Sequence, residues 1–108
     1  MIRDKVKNYT KGWFLGNFTP SLINSSNFEL GYKEYKKGDV EVSHKQQIAQ
    51  EVTLIIEGTA RMGSEYLNAG DIILIEPQEF FDFEALSDVK LVCFKTPSSP
   101  NDKVQFNE

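Results

Sequence analysis

The sequence predicts an all-β fold, a sandwich or a barrel, on the strength of three observations. Short runs rich in Val, Ile, Phe and Tyr recur along the chain, and many alternate apolar with polar residues. Clusters of Gly, Asn, Asp, Ser and Pro separate these runs, which is the composition that tight turns need. No segment sustains the apolar period of about 3.6 residues that marks an amphipathic helix.

Nine segments fit the strand pattern, with the turn sequences KKGD, EGT, MGSE, NAGD, EPQ and LSD between them. The first 11 residues are polar and predict at most a short helix, and the tail from Thr96 onward is too rich in Pro and Ser to extend a central strand. We therefore expect one domain over 1–108, with an N-terminal arm at 1–26, a barrel at 27–97 and a C-terminal tail at 98–108. The predicted strands are 12–18, 27–35, 40–46, 51–58, 59–63, 65–67, 71–76, 79–86 and 89–95.

Composition narrows the class of protein. Hydrophobic residues make up 40% and aromatic residues 12% of the 108 residues, which is enough for a packed core. The net charge of -4 and the lack of a long Lys and Arg run exclude a nucleic-acid footprint, and no helix-turn-helix pattern accompanies the strands. No apolar stretch has the length of a signal-peptide core or a membrane span, so we expect no membrane partner and a cytoplasmic location.

Cysteine and histidine are both scarce. Cys93 is the single cysteine, and its place in the apolar run VKLVCF predicts a buried packing role. His44 is the single histidine. These counts exclude zinc fingers and every site that needs two histidines.

The stretch from Gly38 to Gly58 carries the polar residues of most interest. If β-strand alternation holds throughout, Val40, Val42, His44 and Gln46 share one face, and Glu41, Ser43 and Lys45 share the other. Glu51 opens the next predicted strand after a short polar turn. We therefore expect His44, Gln46 and Glu51 to converge in one pocket.

The same stretch resembles the first motif of the cupins, G-x5-H-x-H-x3-4-E-x6-G, with Gln46 in place of the second histidine. The second cupin motif, G-x5-P-x-G-x2-H-x3-N, matches only in part between Gly70 and Ala85. Glu76, Gln78, Phe81 and Ala85 there replace the proline, glycine, histidine and asparagine of that motif. The segment KTPSSPNDK at 95–103 also resembles the close of some small single-domain cupins.

The resemblance implies a cupin-type double-stranded β-helix, a jelly-roll β-barrel whose interior holds a divalent metal. Of the four ligand positions that the family uses, His44 and Glu51 are kept, Gln46 offers a weaker amide oxygen, and Phe81 offers nothing. We therefore expect either no cofactor or a weakly bound divalent metal at His44, Gln46 and Glu51, with Glu79 as a further oxygen at the rim. The alternative is that the three polar groups bond one another and an ordered water.

The remaining pocket walls follow from strand parity. If Phe81 faces inward, so do Glu79 and Phe83, and Tyr32 is expected at the mouth. Aromatic faces with a few polar groups suit a sugar ring or a small planar acid. The predicted ligand-binding set is Tyr32, His44, Gln46, Glu51, Phe81 and Phe83.

Two functions fit this pocket. The first is binding of a polar small molecule, such as a carbohydrate, at an eroded metal site. The second is an isomerase or epimerase, a chemistry found among the cupins, with His44, Glu51 and Glu79 as the candidate catalytic residues. Dioxygenase chemistry is disfavoured, because it calls for at least two imidazole ligands.

Some predicted strands, such as DIILI and VTLII, are apolar on both faces. A covered outer wall explains them, and a homodimer through that sheet face is the expected cover. The alternative cover is the N-terminal segment with Trp13, Phe14 and Phe18, and both arrangements are compatible.

Overall fold

The computed structural model describes residues 1–106, which form two five-stranded antiparallel sheets packed face to face. All nine predicted strands are confirmed, with ends shifted by a few residues. Two short 3₁₀ turns, Val6–Asn8 and Thr10–Gly12, precede the first strand. The strands are β1 Trp13–Leu15, β2 Glu29–Tyr35, β3 Val40–Gln46, β4 Gln50–Glu57, β5 Thr59–Met62, β6 Glu65–Asn68, β7 Ile72–Ile75, β8 Phe81–Ala85, β9 Val89–Thr96 and β10 Lys103–Gln105.

The strand order is β1-β2-β9-β4-β7 in the first sheet and β10-β3-β8-β5-β6 in the second. Both chain ends therefore take part in sheet pairing. β1 lies in the predicted arm and pairs with β2, while β10 lies in the predicted tail and pairs with β3 at a sheet edge. An edge position tolerates the Pro and Ser that precede β10, because only one side of the strand must pair.

The core lies between the sheets and follows the alternation of the strands. On β8, Phe81, Phe83 and Ala85 are buried, whereas Asp82 and Glu84 point outward to Arg61. β9 alternates in the same way and buries Cys93 as predicted. The remaining core side chains are Ile55, Ala60, Met62, Leu67, Ile75, Val89 and Leu91.

The outer face of the first sheet is apolar across four strands. Register aligns two rows of side chains there, and the cross-strand partners in each row share a face. We call these rows the outer face. One row is Leu30, Phe94, Val52 and Leu74, and the other is Tyr32, Val92, Leu54 and Ile72.

The N-terminal segment leaves the β7 side of this face uncovered. β1 lies at the sheet edge opposite β7, and Trp13 packs inward against the core. Ile72 and Leu74 stay exposed in the single chain. The alternative in which the N-terminal aromatic residues cover the outer wall is therefore wrong for Trp13 and for the β7 side of the face.

The described residues contain no helix that is both long enough and apolar enough to cross a membrane. The cytoplasmic location stays a prediction.

Candidate functional site

A β-bulge in β3 sets which side chains enter the barrel. Glu41 lies opposite Phe83 of β8, and His44 lies opposite Phe81. Two residues of β3 therefore lie between the two pairs, where β8 has only one. One extra residue in a strand reverses the direction of the side chains that follow it. Both Glu41 and His44 therefore line the interior.

The bulge corrects the parity expected from the sequence. Uniform alternation placed Val40 and Val42 on the face of His44, yet these valines are 65% and 60% exposed while His44 is 3% exposed. Glu41, which alternation placed outside, enters the barrel and becomes a site residue that the sequence reasoning missed. The sequence VEVSH fits uniform alternation as well as it fits a bulge, so the sequence alone does not reveal the change of side-chain direction.

A cavity of about 250 Å³ lies between the sheets, and we call it the barrel cavity. Four of the predicted site residues line it, namely His44, Glu51, Phe81 and Phe83. The other charged and aromatic residues in its wall, which the sequence reasoning did not select, are Lys11, Trp13, Lys33, Tyr35, Glu41, Lys95 and Lys103.

Glu51 lies on β4 between an amide and an ammonium group. Gln46 Nε2 donates a long hydrogen bond of 3.5 Å to Glu51 Oε1, and Lys95 Nζ lies 3.7 Å from the same oxygen. Strand register places Lys95 directly between Glu29 and Glu51 on the inner face of the first sheet. Burial raises the pKa of Glu51, and the charge of Lys95 partly opposes that rise.

His44 is held as a neutral ring. Its Nδ1 lies 2.9 Å from the carbonyl oxygen of Val42, and its ring packs on Phe81 with a centroid distance of 4.3 Å. Because a carbonyl oxygen only accepts, Nδ1 carries the proton and Nε2 keeps a free lone pair. Burial lowers the pKa of His44, so the ring is a neutral base at neutral pH.

The donor set fits a divalent metal poorly. Gln46 presents its amide nitrogen to Glu51, and Lys95 already supplies a positive charge beside that carboxylate. One imidazole nitrogen then remains as a free strong donor. Among residues 1–106, no three His, Cys, Asp or Glu side chains are grouped as a metal site requires.

Two lysines flank the single tryptophan at the cavity wall. Lys33 Nζ lies 4.7 Å and Lys95 Nζ 4.9 Å from the centroid of the Trp13 ring. Gly31, opposite Trp13 in the β1–β2 pairing, makes room for the indole, since a Cβ at Gly31 would lie 2.8 Å from a Trp13 ring carbon. Lys95 was recognisable from the sequence, because it continues the inward alternation of Leu91 and Cys93.

Tyr35 and Glu41 form a second polar pair in the cavity wall. The Tyr35 hydroxyl donates a 3.0 Å hydrogen bond to Glu41 Oε1, and the Tyr35 ring packs on Phe83 at 4.6 Å. Burial, followed by the nearby Glu41 charge, raises the pKa of Tyr35. Tyr35 therefore remains a protonated hydrogen-bond donor.

Three predicted site residues lie outside the barrel cavity. Tyr32 belongs to the outer face and donates to Glu34, because β2 turns Lys33 and Tyr35 inward instead. Glu79 is exposed in the loop before β8, where it accepts a hydrogen bond from the backbone nitrogen of Glu76. Gln46 is buried behind Glu51 and faces a separate cleft near Asp102.

Comparison with known proteins gives matches at the level of structure. No protein-family model matches the chain, and no curated protein does. A conserved protein with a double-stranded β-helix domain from Klebsiella pneumoniae aligns with a TM-score of 0.72 at 16% identity, over 98% of this chain and 92% of that one. An RmlC-like cupin from Shewanella frigidimarina aligns with a TM-score of 0.65 at 17% identity, over 71% of each chain.

Oxalate decarboxylase from Bacillus subtilis is also similar, with a TM-score of 0.68 at 18% identity over 76% of this chain. The match spans only 24% of the decarboxylase, so this chain corresponds to about a quarter of that protein. These identities establish the architecture alone. The expected double-stranded β-helix is confirmed.

Proposed function

Because the chain has the cupin fold, we propose that it binds a polar small molecule in the barrel cavity. The observation that carries the proposal is a cavity of about 250 Å³ whose wall combines His44, Glu51 and Lys33 with aromatic side chains. Ligand sites are concave, mostly apolar and furnished with a few polar groups that fix orientation. The cavity volume falls below the range for drug-sized ligands, which favours a ligand of monosaccharide size or smaller.

The aromatic side chains favour a ring or a flat molecule. Trp13, Phe81 and Phe83 offer ring faces or edges to the cavity, and Tyr35 adds a hydroxyl. Such walls pack against the apolar face of a sugar ring, while polar side chains bond its hydroxyl groups. A carbohydrate-related ligand is therefore the class that we propose.

Binding does not require a metal in this proposal. Lys95 lies beside Glu51 and supplies the positive charge that a metal ion would supply next to that carboxylate. The amide nitrogen of Gln46 also faces Glu51. Of the two cofactor expectations, no cofactor or a weakly bound divalent metal, we therefore propose the first.

A cavity-filling substitution tests the proposal. Cys93→Met adds volume to the cavity wall, whereas Val92→Met, at the neighbouring position on the outer face, leaves the cavity unchanged. Thermal unfolding is followed with a panel of sugars and small acids in the presence of EDTA. A ligand should raise the melting temperature by mass action, by the equivalent of about 2.7 kcal/mol at 100 times its Kd.

The ligand effect should be lost in Cys93→Met and kept in Val92→Met. Equal ligand effects in the two variants would place the binding site elsewhere and contradict the proposal. The unliganded melting temperature of each variant is the folding control.

An isomerase or epimerase is the second candidate, and the tautomer of His44 favours it. A neutral imidazole with a free Nε2 lone pair can take a proton from a carbon next to a carbonyl group. Glu79 drops out of this candidate because it lies outside the cavity. Turnover of a bound sugar, measured by NMR in D₂O, would show solvent deuterium in the ligand. His44→Gln should abolish this exchange. A ligand that stays chemically unchanged would rule out the enzyme and leave binding as the function.

A further inference from the structure

The barrel cavity is more positive than the protein around it. Its wall carries four lysines, Lys11, Lys33, Lys95 and Lys103, against two carboxylates, Glu41 and Glu51, although the whole chain has a net charge of -4. Of the two carboxylates, Glu51 is already paired with Lys95. The lysines on β2 and β10 therefore leave unbalanced positive charge at the cavity.

Lys33 is the clearest case. Its ammonium group donates to the backbone oxygen of Lys11 and lies over the Trp13 ring, but it forms no ion pair with a carboxylate within residues 1–106. Burial lowers its pKa to about 8. A partly desolvated cation that no carboxylate contacts directly is unfavourable, and an anion that enters the cavity would relieve that cost.

Lysines on three different strands meet at this wall. Lys33 lies on β2, Lys95 on β9 and Lys103 on β10. The ammonium groups of Lys33 and Lys95 both border the Trp13 ring, at 4.7 and 4.9 Å from its centroid. Lys103 is exposed and free to adjust to a ligand.

We propose that the ligand of the barrel cavity is a small carboxylate, of the size of a sugar acid, whose carboxylate group binds between Lys33, Lys95 and Lys103. This inference rests on the proposed function and specifies its ligand class. A carboxylate matches point-charge donors such as ammonium groups. The aromatic wall then packs against the rest of the molecule.

The pH dependence of binding follows from the groups that face Lys33. These are Glu29 on the same strand, Glu41 on β3, Cys93 and Lys95 on β9, and Lys103 on β10. Lys33 is charged below about pH 8 and neutral above it. Affinity for a carboxylate should therefore be highest below pH 8 and should fall as the pH rises through that value.

The single tryptophan makes the test direct, because Trp13 fluorescence reports on the cavity wall alone. Wild-type protein in EDTA is titrated with two matched pairs of probes, D-glucuronate with D-glucose and succinate with succinamide. At least one acid of a pair should bind tenfold or more tightly than its uncharged partner at pH 7. Lys33→Met and Lys103→Met should each remove most of that preference, and Lys36→Met, an exposed lysine outside the barrel cavity, should keep it.

The outcomes separate this inference from the proposed function. Equal binding of an acid and its neutral partner overturns the carboxylate inference and leaves the proposed function standing. Inorganic phosphate that binds more tightly than both acids in the same fluorescence titration overturns the carboxylate assignment. No response to any probe overturns the inference, whereas the proposed function is still decided by the wider panel and the Cys93→Met variant. Lys103 is exposed, so Lys103→Met decides the matter even where Lys33→Met fails to fold.

Discussion

Lys95 Nζ lies 3.7 Å from Glu51 Oε1, and the two side chains are only 13% and 6% exposed. The pair links neighbouring strands β9 and β4 at directly opposed positions. Because water is largely excluded, neither partner can be removed without leaving the other charge poorly solvated. The pair therefore gives the buried Glu51 carboxylate a cationic partner from within the chain.

Removal of one partner should destabilise the protein. Lys95→Met is expected to lower the free energy of unfolding by about 1–3 kcal/mol, measured by urea denaturation, because it leaves Glu51 unpaired. Adding Glu51→Gln should recover part of the loss. Lys90→Met is the matched control, since Lys90 and Glu57 form a 3.4 Å pair with side chains 48% and 63% exposed, and its cost should stay under about 1 kcal/mol. Equal losses in the two variants would contradict the burial argument.

His44 should titrate below its ordinary pKa of 6.5, because burial disfavours the charged ring. A folded-state pKa that is lowered stabilises the native state above pH 6.5, and this stability is lost as the pH falls toward the folded-state value. His44 is the single histidine, so its NMR titration is unambiguous, and the spectra should also show the proton on Nδ1. His44→Gln should remove the loss of stability just below pH 6.5. A midpoint at or above 6.5 would contradict the prediction.

The architecture was predictable because its signals are local. The alternation in β8 and β9 identifies both strands and their buried faces from the sequence alone, and Gly58 and Pro77 mark turns between strands. β10 is the exception. Its three residues carry no strand pattern of their own, and pairing with the edge of β3 decides their conformation.

The site was predictable only in part. His44, Glu51, Phe81 and Phe83 reach the cavity as the spacing indicated. Glu41 could not be found, because the extra residue between Glu41 and His44 puts both side chains on the inner face, whereas uniform alternation puts them on opposite faces. Trp13 and Lys33 depend on how β1 docks on β2, which is a tertiary contact between residues far apart in the chain.

The Tyr35–Glu41 hydrogen bond should stabilise the bulged strand. Tyr35→Phe removes a half-buried donor and is expected to lower the free energy of unfolding by about 1–2 kcal/mol. Tyr32→Phe is the control on the same strand, because Tyr32 donates to Glu34 at 2.8 Å on the exposed side. Its cost should be within about 0.5 kcal/mol of zero. Urea denaturation of both variants checks the difference, and equal losses would indicate that Glu41 does not face the interior.

The homodimer stays a prediction, and the outer face of the first sheet is where we expect the partner copy. Its two rows carry no charged residue, so a second copy meets no like-charge repulsion there despite the net charge of -4. Ile72 and Leu74 are 71% and 53% exposed in the single chain, an unusual cost for an apolar edge strand left in water. Two copies packed face to face would cover β7 of each copy.

Leu54→Lys places a charge in the middle of that face and should raise the dimer dissociation constant about 100-fold or more, because each copy then buries an unpaired ammonium group. Val42→Lys is the matched control, since Val42 is exposed on the other sheet. Sedimentation equilibrium should give twice the 12.3 kDa of one chain for the wild type and for Val42→Lys, and one chain for Leu54→Lys. A wild type that sediments as 12.3 kDa at high concentration would refute the dimer, and a Leu54→Lys dimer would move the interface away from the outer face.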